Sequence, residues 1–142
     1  MVRNEIKYVA ELDLRLENLP PVVCQPQQVG QVLMNLLMNA AHSIQGKGLI
    51  TLAASLAGDS VEISVTDNGC GISPEHIERI FEPFFTTKEA GRGTGLGLAI
   101  SHDIVKKHGG DLLVESTSGM GTTFTVRLPI DPKYGITHLK EK

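Results

Sequence analysis

The sequence lacks the features of secreted and membrane-spanning proteins. It contains no run of about 18 apolar residues, so no segment of it should cross a membrane. Residues 1–14 have no apolar core of the kind that a signal peptide requires. The two cysteines, Cys24 and Cys70, are far apart in the chain. Without a secretion signal they are expected to remain free thiols in a reducing cytosol, so the sequence predicts a cytoplasmic protein.

Zinc ligands and a basic surface are also missing from the sequence. No two of the five histidines are four residues apart, and neither cysteine adds a ligand, so we exclude a zinc site. The chain has 13 Lys and Arg residues against 16 Asp and Glu residues, which gives a net charge of -3. A mildly acidic chain is not a general nucleic-acid binder, because neutralising phosphates requires a clustered basic face.

Length and composition indicate one soluble domain. The chain has 142 residues, of which 41% are hydrophobic and 20% are charged, as is ordinary for a globular protein. A chain of this size buries roughly two-thirds of the surface that its unfolded form exposes, so it can build a core unaided. We expect a single domain over residues 1–130 and a polar tail over residues 131–142.

Apolar patterning predicts a mixture of strands and helices. Strand patterns occur over residues 5–14, 22–24, 49–56, 61–66, 111–116 and 122–128. Helical spacing or a helix-start signature occurs over residues 25–45, 74–81 and 95–108. The second helix should begin with Ser73 as N-cap and Pro74 at its first position. Two hairpins without strict strand–helix alternation favour an α+β fold, in which a mainly antiparallel sheet carries the helices on one face.

A glycine-rich segment, Gly91-Arg92-Gly93-Thr94-Gly95-Leu96-Gly97-Leu98, opens the third predicted helix. Glycine permits unusual dihedral angles and close backbone approach, and a helix N-terminus presents unpaired N–H groups to anions. Taken alone, the segment is equally typical of a phosphate-binding loop and of a flexible hinge. It is not a Walker A loop, because no Gly-Lys-Ser/Thr stands at the required spacing. It also departs from the dinucleotide fingerprint, because Leu98 stands where that motif needs glycine.

A second segment, Asp67-Asn68-Gly69-Cys70-Gly71, follows a predicted strand. A carboxylate held at a strand end beside two glycines can accept a hydrogen bond from an exocyclic amine and leave room for a flat ring. Asp-Asn-Gly is also a common turn sequence. On these residues alone, a tight turn is the favoured interpretation.

Two asparagines, Asn35 and Asn39, share one stripe of the first predicted helix because they are four residues apart. Asparagine is a mediocre helix former, so two of them beside an apolar face call for an explanation. Their amide oxygens suit Mg²⁺, which prefers oxygen and takes few protein ligands when phosphates supply others. The alternative, favoured in isolation, is polar surface next to the core.

Two further groups are assigned structural roles. His102-Asp103 has the form of a phosphoacceptor histidine beside its acid, but it lies inside the third predicted helix, so we expect a solvated helix face. Phe81, Phe84 and Phe85 make up three of the four phenylalanines and should anchor a loop above a pocket. Stacking on a cofactor is the less favoured alternative for them.

Taken in order, these segments resemble the N, G1, F and G2 boxes of the catalytic and ATP-binding domain of sensor histidine kinases. That domain belongs to the superfamily shared with gyrase, MutL and a heat-shock chaperone. The F box, Phe81-Glu82-Pro83-Phe84-Phe85-Thr86-Thr87-Lys88, resembles kinases of the nitrogen-regulation type. The resemblance covers about residues 5–130. It implies the Bergerat ATP-binding fold, a two-layer α/β sandwich in which a mixed, mainly antiparallel sheet packs on three helices beneath a mobile ATP lid.

The resemblance also implies roles for individual residues. Asp67 would accept from the adenine amino group, with Thr122 assisting through water. Asn39 would ligate Mg²⁺ with Asn35 beside it, and Lys88 and Arg92 would reach the γ-phosphate from the lid. Further residues would shape the adenine pocket or wrap the phosphates: Gly69, Gly71, Ile72, Gly93, Thr94, Gly95, Leu96 and Gly97.

The resemblance implies a histidine kinase domain in two-component signal transduction. It would bind Mg·ATP and pass the γ-phosphoryl group to a histidine on a separate dimerisation domain of the parent kinase, with a response regulator further along. Asn35 stands where ATP-hydrolysing relatives carry a water-activating Glu, so hydrolysis should be slow. No histidine precedes Asn39, so we expect the acceptor outside this chain. Two alternatives are a stand-alone anti-sigma factor serine kinase of the same fold and a nucleotide-sensing module without catalysis.

Overall fold

The computed structural model describes residues 10–44, 46–85 and 96–130. Within these residues the chain forms five strands and three helices. The strands are β1 (Ala10–Leu16), β2 (Gly48–Ala57), β3 (Ser60–Asp67), β4 (Asp111–Thr117) and β5 (Gly121–Pro129). The helices are α1 (Pro26–Ser43), α2 (Pro74–Ile77) and α3 (Gly97–Lys107).

The described strands form one mixed sheet in the order β1-β2-β3-β5-β4. β1 pairs with β2 in parallel, whereas the β2–β3, β3–β5 and β4–β5 pairings are antiparallel. The predicted mainly antiparallel sheet is therefore confirmed. Its order places β3 and β5 side by side near the centre, so that the end of β3 lies beside the start of β5.

The hydrophobic core lies between one face of this sheet and the helices. Side chains alternate between the two faces of a strand, and every second residue of β3 and β5 faces the core. The largest buried apolar side chains of the two layers are Val32, Leu36, Ile50, Val61, Val65, Val105, Phe124 and Val126. Burying a side chain of this size stabilises the fold by about 1.5–3 kcal/mol relative to exposure. The predicted two-layer α+β architecture is confirmed.

Most predicted elements appear with small shifts of their ends. The first strand, predicted over residues 5–14, runs over Ala10–Leu16, and residues 5–9 lie outside the described part of the chain. The helix predicted over residues 95–108 runs over Gly97–Lys107, and residue 95 lies outside that part. The proposed tail over residues 131–142 also lies outside it. Among the residues that the structure describes, no helix combines the length and apolar character needed to cross a membrane.

Residues 22–24 do not form the strand that their sequence predicts. The Val23 N–H donates to the Ile130 carbonyl at 3.1 Å, which fastens the segment to the end of β5 without a ladder. Pro20 and Pro21 have no N–H donors and hold φ near that of a turn. The two residues before this segment therefore cannot donate backbone hydrogen bonds to a neighbouring strand.

The second helix is shorter than predicted, because α2 ends at Ile77 rather than at residue 81. The chain continues in tight turns, in which the Arg79 N–H donates to the His76 carbonyl at 2.9 Å. Pro83 disfavours helical geometry at the residue before it, which limits any extension. Ser73 takes the predicted N-cap position, but its hydroxyl bonds His76 Nδ1 at 3.0 Å instead of capping the backbone.

Candidate functional site

Asp67 is the last residue of β3 and a buried carboxylate, with 4% of its surface exposed. Its Oδ1 accepts the Gly69 backbone N–H at 2.8 Å and the Ser43 hydroxyl at 3.0 Å. The Thr122 backbone N–H also bonds this carboxylate. Burial raises the pKa of Asp67 above its ordinary value, and the three hydrogen bonds oppose that rise. The site therefore contains an acceptor whose orientation is fixed by groups from three elements.

The two glycines after Asp67 are required by close backbone contacts. A Cβ at Gly69 would lie 2.5 Å from the Ser43 carbonyl oxygen. Gly71 has φ +72°, and a Cβ there would collide with the Thr117 carbonyl. The segment is thus a tight turn, as its residues alone favoured. This turn packs the loop after β3 against the end of α1 on one side and against the end of β4 on the other.

Thr122 lies opposite Asp67 in the β3–β5 register, and Ser116 lies opposite Thr122 in the β4–β5 register. The Ser116 and Thr122 hydroxyl oxygens are 2.8 Å apart. Ser116 Oγ also accepts the Ile72 N–H at 2.7 Å and donates to the Gly121 carbonyl at 3.0 Å. Three residues that the resemblance placed around adenine, Asp67, Thr122 and Ile72, are therefore brought together at one end of the sheet.

Asn35 links α1 to the start of α3. Its Nδ2 donates to the Gly97 carbonyl at 3.3 Å and to the Ser101 hydroxyl at 3.1 Å. Asn39 lies one helical turn further along α1, on the same stripe, and is half-buried. The two asparagines are therefore not plain surface. Asn35 ties the helix that carries Asn39 to the helix that the glycine-rich segment opens.

The start of α3 has the local chemistry of an anion site. Leu96 is its N-cap and supplies no side-chain cap, and the first turn of α3 contains no acidic residue. Negative charge is favoured at a helix N-terminus because the backbone N–H groups and the helix dipole point toward it. The other residues expected at the phosphates or the lid lie outside the described residues: Lys88, Arg92, Gly93, Thr94 and Gly95.

The phenylalanine group divides into two anchors and one exposed ring. Phe81 and Phe85 pack against the core, whereas Phe84 is 72% exposed, with φ +67°. The prediction that all three act as anchors is therefore wrong for Phe84. Phe81 stacks on His102 with ring centroids 4.8 Å apart. His102 is thus half-buried against an aromatic ring rather than solvated, while its neighbour Asp103 is exposed, as predicted.

Three serines that sequence analysis missed hold the predicted site residues in place. They are Ser43 behind Asp67, Ser101 behind Asn35, and Ser116 behind Thr122 and Ile72. The first two carry a weak signal, because Ser43 is four residues after Asn39 and Ser101 is four after Gly97, which places each pair on one helix face. For Ser116 the sequence gives no such signal, because its position beside Thr122 follows only from the β4–β5 register.

A cavity of about 230 Å³ opens beside the turn after β3. Its wall combines the end of α1 with the turn: Ser43, Ile44, Lys47, Asn68, Gly69 and Cys70. Gly69 and Ser43, two of the groups that hold Asp67, belong to this wall. Asp67 itself is not among the residues that line the cavity.

A mixed sheet with helices on one face is an α/β sandwich, and the buried carboxylate in the glycine turn marks a candidate site at the end of its central strand. The sequence matches the model of the histidine kinase-, DNA gyrase B-, and HSP90-like ATPase family over residues 24–132. The chain belongs to this family, which confirms the resemblance drawn from its motifs.

Individual relatives agree with this assignment. The sensor histidine kinase ZraS of Escherichia coli K12 is 46% identical over 124 residues, which are 85% of this chain and 26% of ZraS. The structure of the mycobacterial sensor histidine kinase MprB has a TM-score of 0.80 at 30% identity, over 92% of this chain and 90% of that one. Full-length ShkA in complex with AMPPNP has a TM-score of 0.79 at 30% identity, over 91% of this chain and 27% of ShkA. The chain spans about a quarter of the length of ZraS.

Proposed function

We propose that this chain binds Mg·ATP and donates the γ-phosphoryl group to a histidine on a separate dimerisation domain, as part of a protein histidine kinase in two-component signalling. The observation that carries the proposal is the environment of Asp67. A buried carboxylate at a strand end, fixed by Ser43 and Gly69, suits a ligand that presents an N–H donor on a flat ring. Adenine does so through its exocyclic amine.

The base would lie between the turn after β3 and the row of strand ends. Asp67 would accept from the adenine amine, and Thr122 would act beside it through water. Gly69, Gly71 and Ile72 would form the wall, because their backbone is held close to α1 and β4 and carries little side-chain bulk at the glycines. This arrangement uses only groups that the described structure brings together.

The phosphates would lie between α1 and the start of α3. Leu96, Gly97 and, on the sequence alone, Gly93, Thr94 and Gly95 would offer backbone N–H groups to them. The Asn39 amide oxygen suits Mg²⁺, which neutralises the charge that develops on the phosphates. Lys88 and Arg92 are assigned to the γ-phosphate from their place in the sequence.

Asn35 supports transfer rather than hydrolysis. A base that activates water must accept a proton, whereas the Asn35 amide donates to Gly97 and Ser101 and cannot take one. In the proposed reaction a nitrogen of the acceptor imidazole forms the new P–N bond. The P–O bond to the β-phosphate breaks, and ADP leaves.

The acceptor histidine is proposed to lie outside this chain. His102 is on α3 and stacks on Phe81, so it belongs to the same rigid body as the phosphate site. In-line attack needs the nucleophile about 3–3.5 Å from phosphorus, opposite the leaving oxygen. His108 is 1% exposed and bonded through both ring nitrogens, so it offers no free nucleophile.

The test is phosphoryl transfer from γ-labelled ATP. The chain alone should remain unlabelled, and a separately produced histidine-bearing dimerisation domain of the parent kinase should become labelled when the two are mixed. The product should be acid-labile and base-stable, as a phosphoramidate is. Lys107→Ala, which changes an exposed residue on α3 that pairs with Asp103, serves as the control and should not alter the transfer.

Other outcomes would assign the chain differently. Self-labelling that disappears in His102→Ala would overturn the separate acceptor. An acid-stable phosphoserine on an added antagonist protein would indicate the anti-sigma factor kinase. Bound ATP that transfers its phosphoryl group to neither protein would indicate a nucleotide-sensing module.

A further inference from the structure

We propose that Ser116 determines base specificity by setting the direction of the Thr122 hydroxyl group. This inference rests on the proposed function, since it concerns the base beside Asp67. Ser116 is a positioning residue here: it acts through Thr122 and Ile72 and is not assigned any contact with the nucleotide.

The three strand ends place the relevant side chains in one row. Asp67 on β3 pairs with Thr122 on β5, and Thr122 pairs with Ser116 on β4. Paired residues of neighbouring strands direct their side chains to the same face. Ser116 is therefore the outer member of a row whose inner members are a buried carboxylate and a buried hydroxyl, 4% and 5% exposed.

The hydrogen-bond capacity of Ser116 fixes the direction of each bond. A serine hydroxyl has one hydrogen and two lone pairs. The Ile72 N–H at 2.7 Å can only donate, so it occupies one lone pair. The Gly121 carbonyl at 3.0 Å can only accept, so it takes the hydrogen. The contact with Thr122 Oγ1 at 2.8 Å is then satisfied only if the Thr122 hydroxyl donates to the second lone pair of Ser116.

With its hydrogen directed at Ser116, the Thr122 hydroxyl offers only lone pairs to any other group. The ionised Asp67 carboxylate also offers only lone pairs. The polar wall of the base pocket therefore consists of acceptors. Such a wall matches a ring with an exocyclic amine, which donates to Asp67 directly and to the water between the ring and Thr122. An oxo group in its place offers Asp67 no hydrogen, and the water must then give one hydrogen to Thr122 and the other to the ring.

The experiment compares Mg·ATP with Mg·ITP, in which an oxo group replaces the amine of the base. Calorimetry on the whole chain should give a higher affinity for ATP. In Ser116→Ala the Thr122 hydrogen is released and can turn toward the ligand, so the ratio of ATP to ITP affinity should fall by about tenfold. Ser116→Thr keeps the hydroxyl and should restore the ratio. Ser118→Ala, an exposed serine in the adjoining turn, should leave it unchanged.

A structural role for Ser116 would lower both affinities together, so an unchanged ratio in Ser116→Ala would overturn the inference. A double-mutant cycle adds a second condition: in a Thr122→Val background, Ser116→Ala should not change the ratio further. If Ser116→Ala does not fold, Thr122→Val alone must lower the ratio, and a ratio equal to that of the parent chain would again overturn it. A parent chain that binds neither nucleotide would instead contradict the proposed function.

Discussion

The Gln25 backbone N–H donates to Nε2 of His108 at 3.0 Å, across 83 residues of sequence. Nδ1 of the same ring lies 2.9 Å from the Ile104 carbonyl. Because a carbonyl can only accept, the partners assign the ring hydrogen to Nδ1 and leave Nε2 as an acceptor. His108 is 1% exposed. A neutral imidazole thus joins the C-terminal end of α3 to Gln25, the N-cap residue of α1.

Substitution of His108 should lower the stability of the fold, and it should not act directly on the proposed base pocket, because His108 contacts Gln25 and Ile104. His108→Leu removes both bonds and leaves the Gln25 N–H without its acceptor, so the free energy of unfolding should fall by about 1–3 kcal/mol. His108→Gln can place its amide oxygen near the position of Nε2 and should recover part of that loss. Urea unfolding measures both variants. Equal losses in the two would contradict the assigned role of Nε2.

The adenine assignment predicts the effect of changing one atom of Asp67. Asp67→Asn keeps the size of the side chain but replaces a carboxylate oxygen with an amide N–H₂, which donates where the ligand amine also donates. ADP affinity should fall by about tenfold or more, roughly 1.4 kcal/mol. Asp111→Asn, at the opposite end of β4 from Ser116, is the control and should bind ADP as the parent does. Calorimetry that finds equal affinities for Asp67→Asn and the parent would remove Asp67 from the site.

The same two aspartates predict opposite pH dependences of stability. Burial raises the pKa of Asp67 above 3.8, its ordinary value, so the folded state binds its proton more tightly than the unfolded state does. The stability that Asp67 contributes relative to Asp67→Asn is therefore full below pH 3.8 and falls as pH rises through the raised pKa. The hydrogen bond from Lys106 lowers the pKa of Asp111. Its contribution is therefore present above 3.8 and is lost as pH falls through the lowered pKa.

Denaturant unfolding of the parent and the two asparagine variants over acid to neutral pH measures these differences. The parent minus Asp67→Asn difference should decrease with rising pH, and the parent minus Asp111→Asn difference should increase. The Asp111 side chain is 48% exposed, whereas Asp67 is buried, so the change at Asp111 should be the smaller of the two. Two curves of the same sign would show that burial does not dominate at Asp67.

Local patterns predicted most of the elements and singled out Asp67, Asn35 and Asn39 as candidate site residues. Buried residues recur at every second position of β3 and β5, and Asn35 and Asn39 are four positions apart on one helix face. Such short spacings can be seen directly in a sequence. The order of the motifs added what no single motif carried: Asp-Asn-Gly alone favoured a turn, and the structure shows a turn that also fixes Asp67.

The remaining features depend on contacts between distant residues. The parallel pairing of β1 with β2 has no local signature, and neither does the position of Ser116 opposite Thr122. The bond from Gln25 to His108 joins residues that are 83 positions apart, so no helix or strand repeat relates them. Residues 22–24 were predicted incorrectly as a strand, because the two prolines before them, Pro20 and Pro21, offer no N–H donors to a pairing. Residues 78–81 were predicted as helix but form turns, in which the Arg79 N–H bonds the His76 carbonyl.

The bonds of Asn35 should hold α1 and α3 together at the proposed phosphate site. Asn35→Asp replaces the donor Nδ2 with an acceptor that would face the Gly97 carbonyl and the Ser101 hydroxyl, now at 3.3 and 3.1 Å. The bond to Gly97 cannot re-form with a carboxylate, and we expect a loss of about 1–3 kcal/mol in the free energy of unfolding. Ser101→Ala removes one acceptor and leaves the bond to Gly97. Its free energy of unfolding should therefore fall by less, about 0.5–1.5 kcal/mol.

The affinity for an ATP analogue with Mg²⁺ should fall more in Asn35→Asp than the affinity for adenosine, because we propose that the base contacts Asp67 and the strand ends rather than α3. Urea unfolding and calorimetry on the same preparations test both statements, and an adenosine affinity that falls as far as that of the ATP analogue would contradict the separation of the base and phosphate sites.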